Sequence, residues 1–253
     1  VRLRHVVAVG IAVTILAGCS SAIDADTANG QSITVLAAAS LRSTFTEVGQ
    51  LFEAQHPGTR VVFNFAGSSD LSTQLDQGAP GDVFASADTA NMTKATGAGL
   101  TATEPVNFAT NVLTIAVPPG NPANIDSFAD LTRPEVKAVV CAPQVPCGTA
   151  TRRIEDATGI HLTPVSEESS VTDVLGKVVT GQADAGLVYV TDAAAARDRV
   201  ATVPFPEAAT VINTYPIAVL RKSGNPDTAE SFVAFVLGPE GRRILSDAGF
   251  GAP

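Results

Sequence analysis

Histidine and cysteine are scarce, three of each in 253 residues. That leaves little material for a metal site, and structural zinc alone wants four ligands. Basic residues are also few, 16 Lys plus Arg against 25 Asp plus Glu, for a formal charge of −9. A chain this acidic is a poor partner for DNA, RNA or anionic lipid. No apolar run reaches the ~18–20 residues that cross a bilayer as a helix. No Gly-x-Ser-x-Gly elbow of a serine hydrolase occurs, and no repeat recurs at a fixed period. Charged residues make up only 16% and apolar ones 45%. Disorder would need the reverse. What remains is a globular chain, long enough for one large domain or two ordinary ones.

The N-terminus reads as an address. Arg2, Arg4 and His5 precede an apolar stretch over 6–17, which is too short to span as a helix. A basic start, a short apolar region and small residues at the cut describe a secretory signal peptide, here residues 1–18. Leu16-Ala17-Gly18-Cys19 resembles the bacterial lipoprotein box. The resemblance implies cleavage before Cys19 and lipid on that residue, so the chain is exported and lipid-anchored to the outer face of the cell membrane. An ordinary signal with a coincidental cysteine is the other reading. Residues 19–31 are small and polar and read as a tether. Cys141 and Cys147 then remain as an even pair in an oxidising compartment. They read either as a disulfide stapling the loop 142–146 or as two buried thiols.

The rest alternates strand and helix. Short apolar runs at 33–37, 60–66, 82–86 and 111–117 predict strands, and 41–56, 69–77 and 88–95 predict helices. The pattern restarts with helices over 127–131, 150–157 and 192–197, strands at 137–141, 185–190 and 216–220, and two closing helices that open with Pro226 and Pro239. Val171, Val174, Leu175, Val178 and Val179 fall on one helical face. Alternation of this kind means α/β with largely parallel sheets. Two rounds suggest two domains, crossed at 111–117 and 216–220.

Small hydroxyl-bearing residues stand where these helices begin: Ser40, Gly67-Ser68-Ser69, Cys147-Gly148-Thr149 and Ser169-Ser170-Val171. Each serine alone reads as a helix cap, its commoner use. Together they suggest more. Turns after parallel strands gather where ligands bind. Several helix N-termini aimed at one point bind an anion without Lys or Arg. Hydrogen bonds to a charged group are each worth ~1.5–3 kcal/mol, so about five to seven could offset the dehydration of an oxyanion.

Several motifs resemble the extracytoplasmic molybdate-binding proteins of ABC importers. They are Ala37-Ala38-Ala39-Ser40-Leu41, Phe65-Ala66-Gly67-Ser68-Ser69, the run from Gly78 to Asp88, Gly186-Leu187-Val188-Tyr189 with Asp192-Ala193, and the ending Gly238-Pro239-Glu240 with Gly249-Phe250. The resemblance covers about 33–250. It implies a type II periplasmic-binding-protein-like fold, two α/β lobes joined by a two-strand hinge. Lobe 1 would be 32–111 plus 217–253, and lobe 2 would be 112–216. It implies a molybdate or tungstate ligand, bound as an oxyanion with no metal-cation ligands and no cofactor, and an ABC permease as partner to a monomer. It carries the oxyanion-binding roles to Ser40 and Ser68 (hydroxyl and backbone N–H), Cys147 and Val171 (backbone N–H) and Tyr189 (hydroxyl). Cys147 stands where the family has alanine, which is harmless if only the N–H matters.

Donors without an acceptor suit a fully deprotonated dianion, because a protonated phosphate would leave its O–H unpaired. Asp70 and Asp173 lie near the donor turns and are expected to act as first-turn helix acids. The same fold serving sulfate, phosphate or another small anion is the alternative. An exported hydrolase using Ser40 or Ser68 needs a base. His56 is roughly 24 Å from Ser40 by helical rise, and His161 sits in no catalytic motif.

Overall fold

The computed structural model describes residues 31–253. The expected signal peptide, Cys19 and the tether up to residue 30 lie outside the described residues. Gln31, expected to end the tether, instead opens the first strand.

In the first half, β1 (Gln31–Ala38) leads through a 3-10 turn into α1 (Arg42–Gln55). Then follow β2 (Thr59–Ala66), α2 (Ser68–Asp76), β3 (Val83–Ala85), α3 (Thr89–Gly97) and β4 (Val106–Asn111). A second round contains β5 (Leu113–Val117), β6 (Ala138–Cys141), α4 (Pro146–Thr158), β7 (Ser166–Glu168), α5 (Val171–Val179), β8 (Ala185–Tyr189), α6 (Val190–Ala196) and β9 (Ala201–Val203). The chain closes with β10 (Asn213–Val219), α7 (Pro226–Leu237) and α8 (Pro239–Asp247).

These strands make two five-stranded sheets, ordered β2-β1-β3-β10-β4 and β7-β6-β8-β5-β9. β1 pairs in parallel with β2 and β3, and β6 with β7 and β8. Each sheet has one reversed strand: β10 is antiparallel to β3 and β4, and β5 to β8 and β9. The chain changes sheet at Val112 and again between β9 and β10.

The structure corrects the expected elements in several places. The strand expected at 111–117 begins at Leu113 as β5, while Asn111 ends β4 in the other sheet. The strand expected at 216–220 starts at Asn213, already in the first sheet, and the register shifts between Tyr215 and Pro216. A proline has no N–H for the ladder, so a local irregularity accommodates it. The helix expected over 127–131 is a 3-10 turn over Ala129–Thr132.

Each sheet has its own core. One packs Phe45, Phe52, Phe108, Tyr215 and Phe232 around β1, β3 and β10. The Phe45 ring lies 5.6 Å from Phe108 and 6.2 Å from Phe232. The other packs Ile115, Val139, Ile154 and Leu187 under α4 and α5. On α5 the face read from the sequence is the buried one: Val171, Val174 and Val178 are fully covered, Leu175 and Val179 partly. Each such side chain stabilises by ~1.5–3 kcal/mol relative to exposure.

Candidate functional site

Helix after helix begins at the carboxyl end of a strand, and these ends face each other across the two lobes. Ser40 follows β1, Ser68 opens α2, Cys147 is the second residue of α4, Val171 opens α5, and Tyr189 ends β8. All five line one small cavity of about 10 Å³, roughly the room of one water molecule. The structure thus brings together every residue expected there. Ser68, Cys147 and Val171 sit in first turns, where backbone N–H groups have no partner within the helix.

The hydroxyls are not used as caps. Ser40, expected at an N-cap, lies inside the 3-10 turn, and α1 begins after Leu41. The Ser40 hydroxyl instead meets the Tyr215 hydroxyl at 3.0 Å. The Ser68 hydroxyl accepts the Ala87 N–H at 3.0 Å. The Tyr189 hydroxyl accepts from the Asn213 side-chain amide at 2.9 Å. Ser170, by contrast, is a true cap, accepting the Asp173 N–H at 3.2 Å.

Among the described residues, no Asp, Glu, Lys or Arg lines this cavity. The Asp173 carboxylate accepts from the Ser169 and Ser170 hydroxyls, turned toward its own cap. Asp70 stands in the first turn of α2, as expected. Asp88 takes the Asn91 backbone and side-chain N–H groups, and burial raises its carboxyl above the usual range. Burial also lifts the Tyr189 phenol well above its ordinary value, with Tyr215 and Asp88 adding to the effect. Tyr189 is therefore a neutral hydroxyl. Beneath it, burial pushes the Asp192 carboxyl up to about 7 while its Oδ2 accepts the Tyr189 N–H at 3.2 Å.

The expected disulfide is present. Cys141 and Cys147 are bonded with Cα atoms 5.6 Å apart. The next residue must be glycine, since a Cβ on Gly148 would lie 2.0 Å from the Ala142 carbonyl oxygen. The bridge therefore ties the end of β6 to the first turn of α4, where Cys147 lines the cavity.

The two lobes touch beside the cavity. A Cβ at Gly67 would stand 2.2 Å from the Ser169 carbonyl oxygen. The Asn91 amide reaches the Gln144 carbonyl at 3.5 Å. His56 has no part in this. It ends α1, stacked on Phe52 at 4.0 Å. No base therefore stands at Ser40 or Ser68 among the cavity-lining residues. Sequence reasoning missed Ala87, Asn213 and Tyr215, which hold the three hydroxyls.

A family model for bacterial extracellular solute-binding proteins matches residues 33–251. The molybdate-binding protein ModA of Mycobacterium tuberculosis is 61% identical over 227 residues, covering 90% of this chain and 87% of the relative. Among solved structures, the periplasmic molybdate-binding protein of Azotobacter vinelandii superposes with a TM-score of 0.74 at 22% identity, over 87% of this chain and 99% of that one. The sulfate-binding protein SubI of Mycobacterium tuberculosis superposes with a TM-score of 0.73 at 23% identity, over 87% and 86%. These two likenesses establish the two-lobed fold.

Proposed function

The chain belongs to the family of bacterial extracellular solute-binding proteins, and from that membership we propose that it captures molybdate or tungstate between its lobes and delivers it to an ABC permease. It is an extracytoplasmic binding protein and not an enzyme. The observation that carries the ligand reading is the convergence of five donor positions on one cavity lined by no acidic or basic side chain. The 61% identity to a molybdate-binding protein supports the same reading.

In this proposal Ser40, Ser68 and Tyr189 donate their hydroxyl protons to the anion. The N–H groups of Ser40, Ser68, Cys147 and Val171 add to them. Lobe 1, which the chain re-enters at Asn213 rather than at 217, contributes the two serines, and lobe 2 the rest. A ligand held from both sides favours the closed arrangement over the open one, and the permease reads that difference. Lipid on Cys19 would hold the monomer at the outer face of the membrane, with the residues from 19 to 30 as its tether. No cofactor takes part.

The test is titration calorimetry on protein starting at Ser21, with molybdate, tungstate, sulfate and phosphate in separate runs. Tight one-to-one binding of molybdate and tungstate is expected, with sulfate and phosphate much weaker. Ser68→Ala removes one donor to a charged ligand and leaves the Ala87 N–H unpaired, so molybdate affinity should fall at least about tenfold. Equal or tighter sulfate binding would keep the clamp and replace the ligand. Heat from none of the four, in folded protein, would end the oxyanion reading.

A further inference from the structure

Val145, Pro146 and Cys147 form one wall of the cavity, and they are the start of α4. A helix start is commonly fixed by a side chain that caps its free N–H groups. Ser170 fixes α5 in this way. Val145 stands at the N-cap of α4 and makes no side-chain hydrogen bond there. Pro146 carries no N–H, and the Cys147 N–H has no acceptor within its helix. Thr149 reaches back to the Pro143 carbonyl at 2.9 Å and Thr151 to the Cys147 carbonyl at 2.9 Å. Both bonds hold carbonyls and leave the N–H side free. Among the described residues, the tie that takes the place of a cap is the bond from the Cys147 side chain to Cys141.

Cys141 is a firm anchor. It ends β6, which lies between β7 and β8 inside its sheet, and it pairs with Glu168 of β7. The next residue, Ala142, donates its N–H to the Glu168 carbonyl at 2.8 Å. Both cysteines are buried, each 2% exposed, in the core under α4. When a dithiol opens the bridge, two electrons and two protons pass to the pair, which leaves two thiols and the oxidised dithiol. The two sulfurs then need the room of nonbonded atoms in a close-packed interior. β6 is held from both sides, so the uncapped turn of α4 is what yields. It does not yield toward the loop, because Gly148 already lies against the Ala142 carbonyl with no room for a Cβ. Cys147 therefore shifts relative to Ser40, Ser68, Val171 and Tyr189, which line the same cavity.

We propose that Cys141 is a positioning residue of the oxyanion site: its bond fixes the Cys147 peptide among the other donor positions, and affinity for the anion depends on oxidation of the pair. This inference rests on the oxyanion reading above and adds a redox control to it. Linkage makes the control reciprocal. If reduction weakens the anion by some factor, the bound anion makes the pair harder to reduce by the same factor. A chain not yet oxidised holds the anion loosely.

The test uses protein starting at Ser21, in which Cys141 and Cys147 are the only cysteines. The first arm is calorimetry with molybdate on oxidised protein and on reduced protein freed of dithiol under nitrogen. Reduction should weaken binding about tenfold, the loss of about one hydrogen bond to a charged ligand. Cys141→Ser, which leaves Cys147 and its peptide in place, should bind as the reduced protein does. The second arm poises wild type in dithiothreitol redox buffers with and without saturating tungstate, an oxyanion that thiols do not readily reduce, and counts thiols at equilibrium. Tungstate should move the midpoint about 30 mV more negative, the same tenfold for a two-electron couple. A staple that serves stability alone would lower the melting temperature and leave both readings unmoved. Affinity within about twofold on reduction, or a midpoint that tungstate does not shift, overturns this inference and leaves the ligand reading intact. A reduced chain that no longer melts cooperatively assigns the bridge to folding and overturns it as well. Oxidised wild type that binds neither molybdate nor tungstate overturns both.

Discussion

Gly67→Ala tests whether the lobes bear on each other at the ligand. The backbone at Gly67 has φ −59° and ψ 140°, a conformation alanine adopts freely. No strain arises within lobe 1. A Cβ there would, however, stand 2.2 Å from the Ser169 carbonyl oxygen of the other lobe. Carbon and oxygen rest at about 3.3 Å or more, so the lobes must part by about 1 Å at this point. Gly67 adjoins Ser68, and Ser169 lies two residues before Val171, so the displacement falls directly on two donor positions. A hydrogen bond of about 2.9 Å stretched beyond about 3.6 Å ceases to be one. Seating an anion larger than one water already takes up part of that ångström. The loss is therefore set at about one bond to a charged group, ~1.5 kcal/mol or roughly tenfold in affinity. Calorimetry with molybdate reads it. The melting temperature without ligand should hold or rise slightly, because Gly→Ala at a permitted conformation stabilises by about 0.4–1 kcal/mol. Affinity within about twofold of wild type would refute the argument, and so would a loss accompanied by an equal loss of stability.

Two further outcomes follow from groups around the site. Opening the Cys141–Cys147 bridge, whose partners are six residues apart, as a double Ser variant should cost about 2 kcal/mol of stability in urea by the loop-closure argument; an unchanged midpoint would deny the staple any role. Asp192 holds its proton up to about pH 7 when folded, against 3.8 for the ordinary carboxyl. The unfolded chain binds fewer protons across that window, so this group's contribution falls as pH rises from about 4 to 7 and is flat above. Asp192→Asn keeps an acceptor for the Tyr189 N–H. It should flatten that slope and raise stability near pH 8 by about 1–4 kcal/mol, and urea titrations at several pH values that superpose with wild type would contradict the assignment.

How far the sequence could be read depended on the reach of each signal. The apolar face of α5 and the strand–turn–helix units around Ser40 and Ser68 were legible because neighbours in the chain specify them. Three-residue strands such as β7 and β9 are too short to display a period. Ser40 was misread as a cap because its 3-10 turn delays the start of α1 by one residue, from 41 to Arg42. Asn213 carried no signal at all. Its partners Ala87 and Tyr189 lie 126 and 24 residues away, and only the folded topology brings them together. The donor positions were thus visible from local pattern, whereas the groups that hold their hydroxyls were not.

The place of β10 bears on how the molecule is made. β10 sits between β3 and β4 in the first sheet, yet it follows every strand of the second. Synthesis and export proceed from the N-terminus. The second sheet therefore has all its strands once Val203 is available, while β3 and β4 still have a gap between them. The half begun first is finished last, and its chain end pairs back on it through a bridge between Gly251 and Thr110. A chain cut between β9 and β10 would keep one complete jaw and lack the other. Such a fragment would lack one side of the cavity, so partial products of translation would not compete with the finished protein for its ligand.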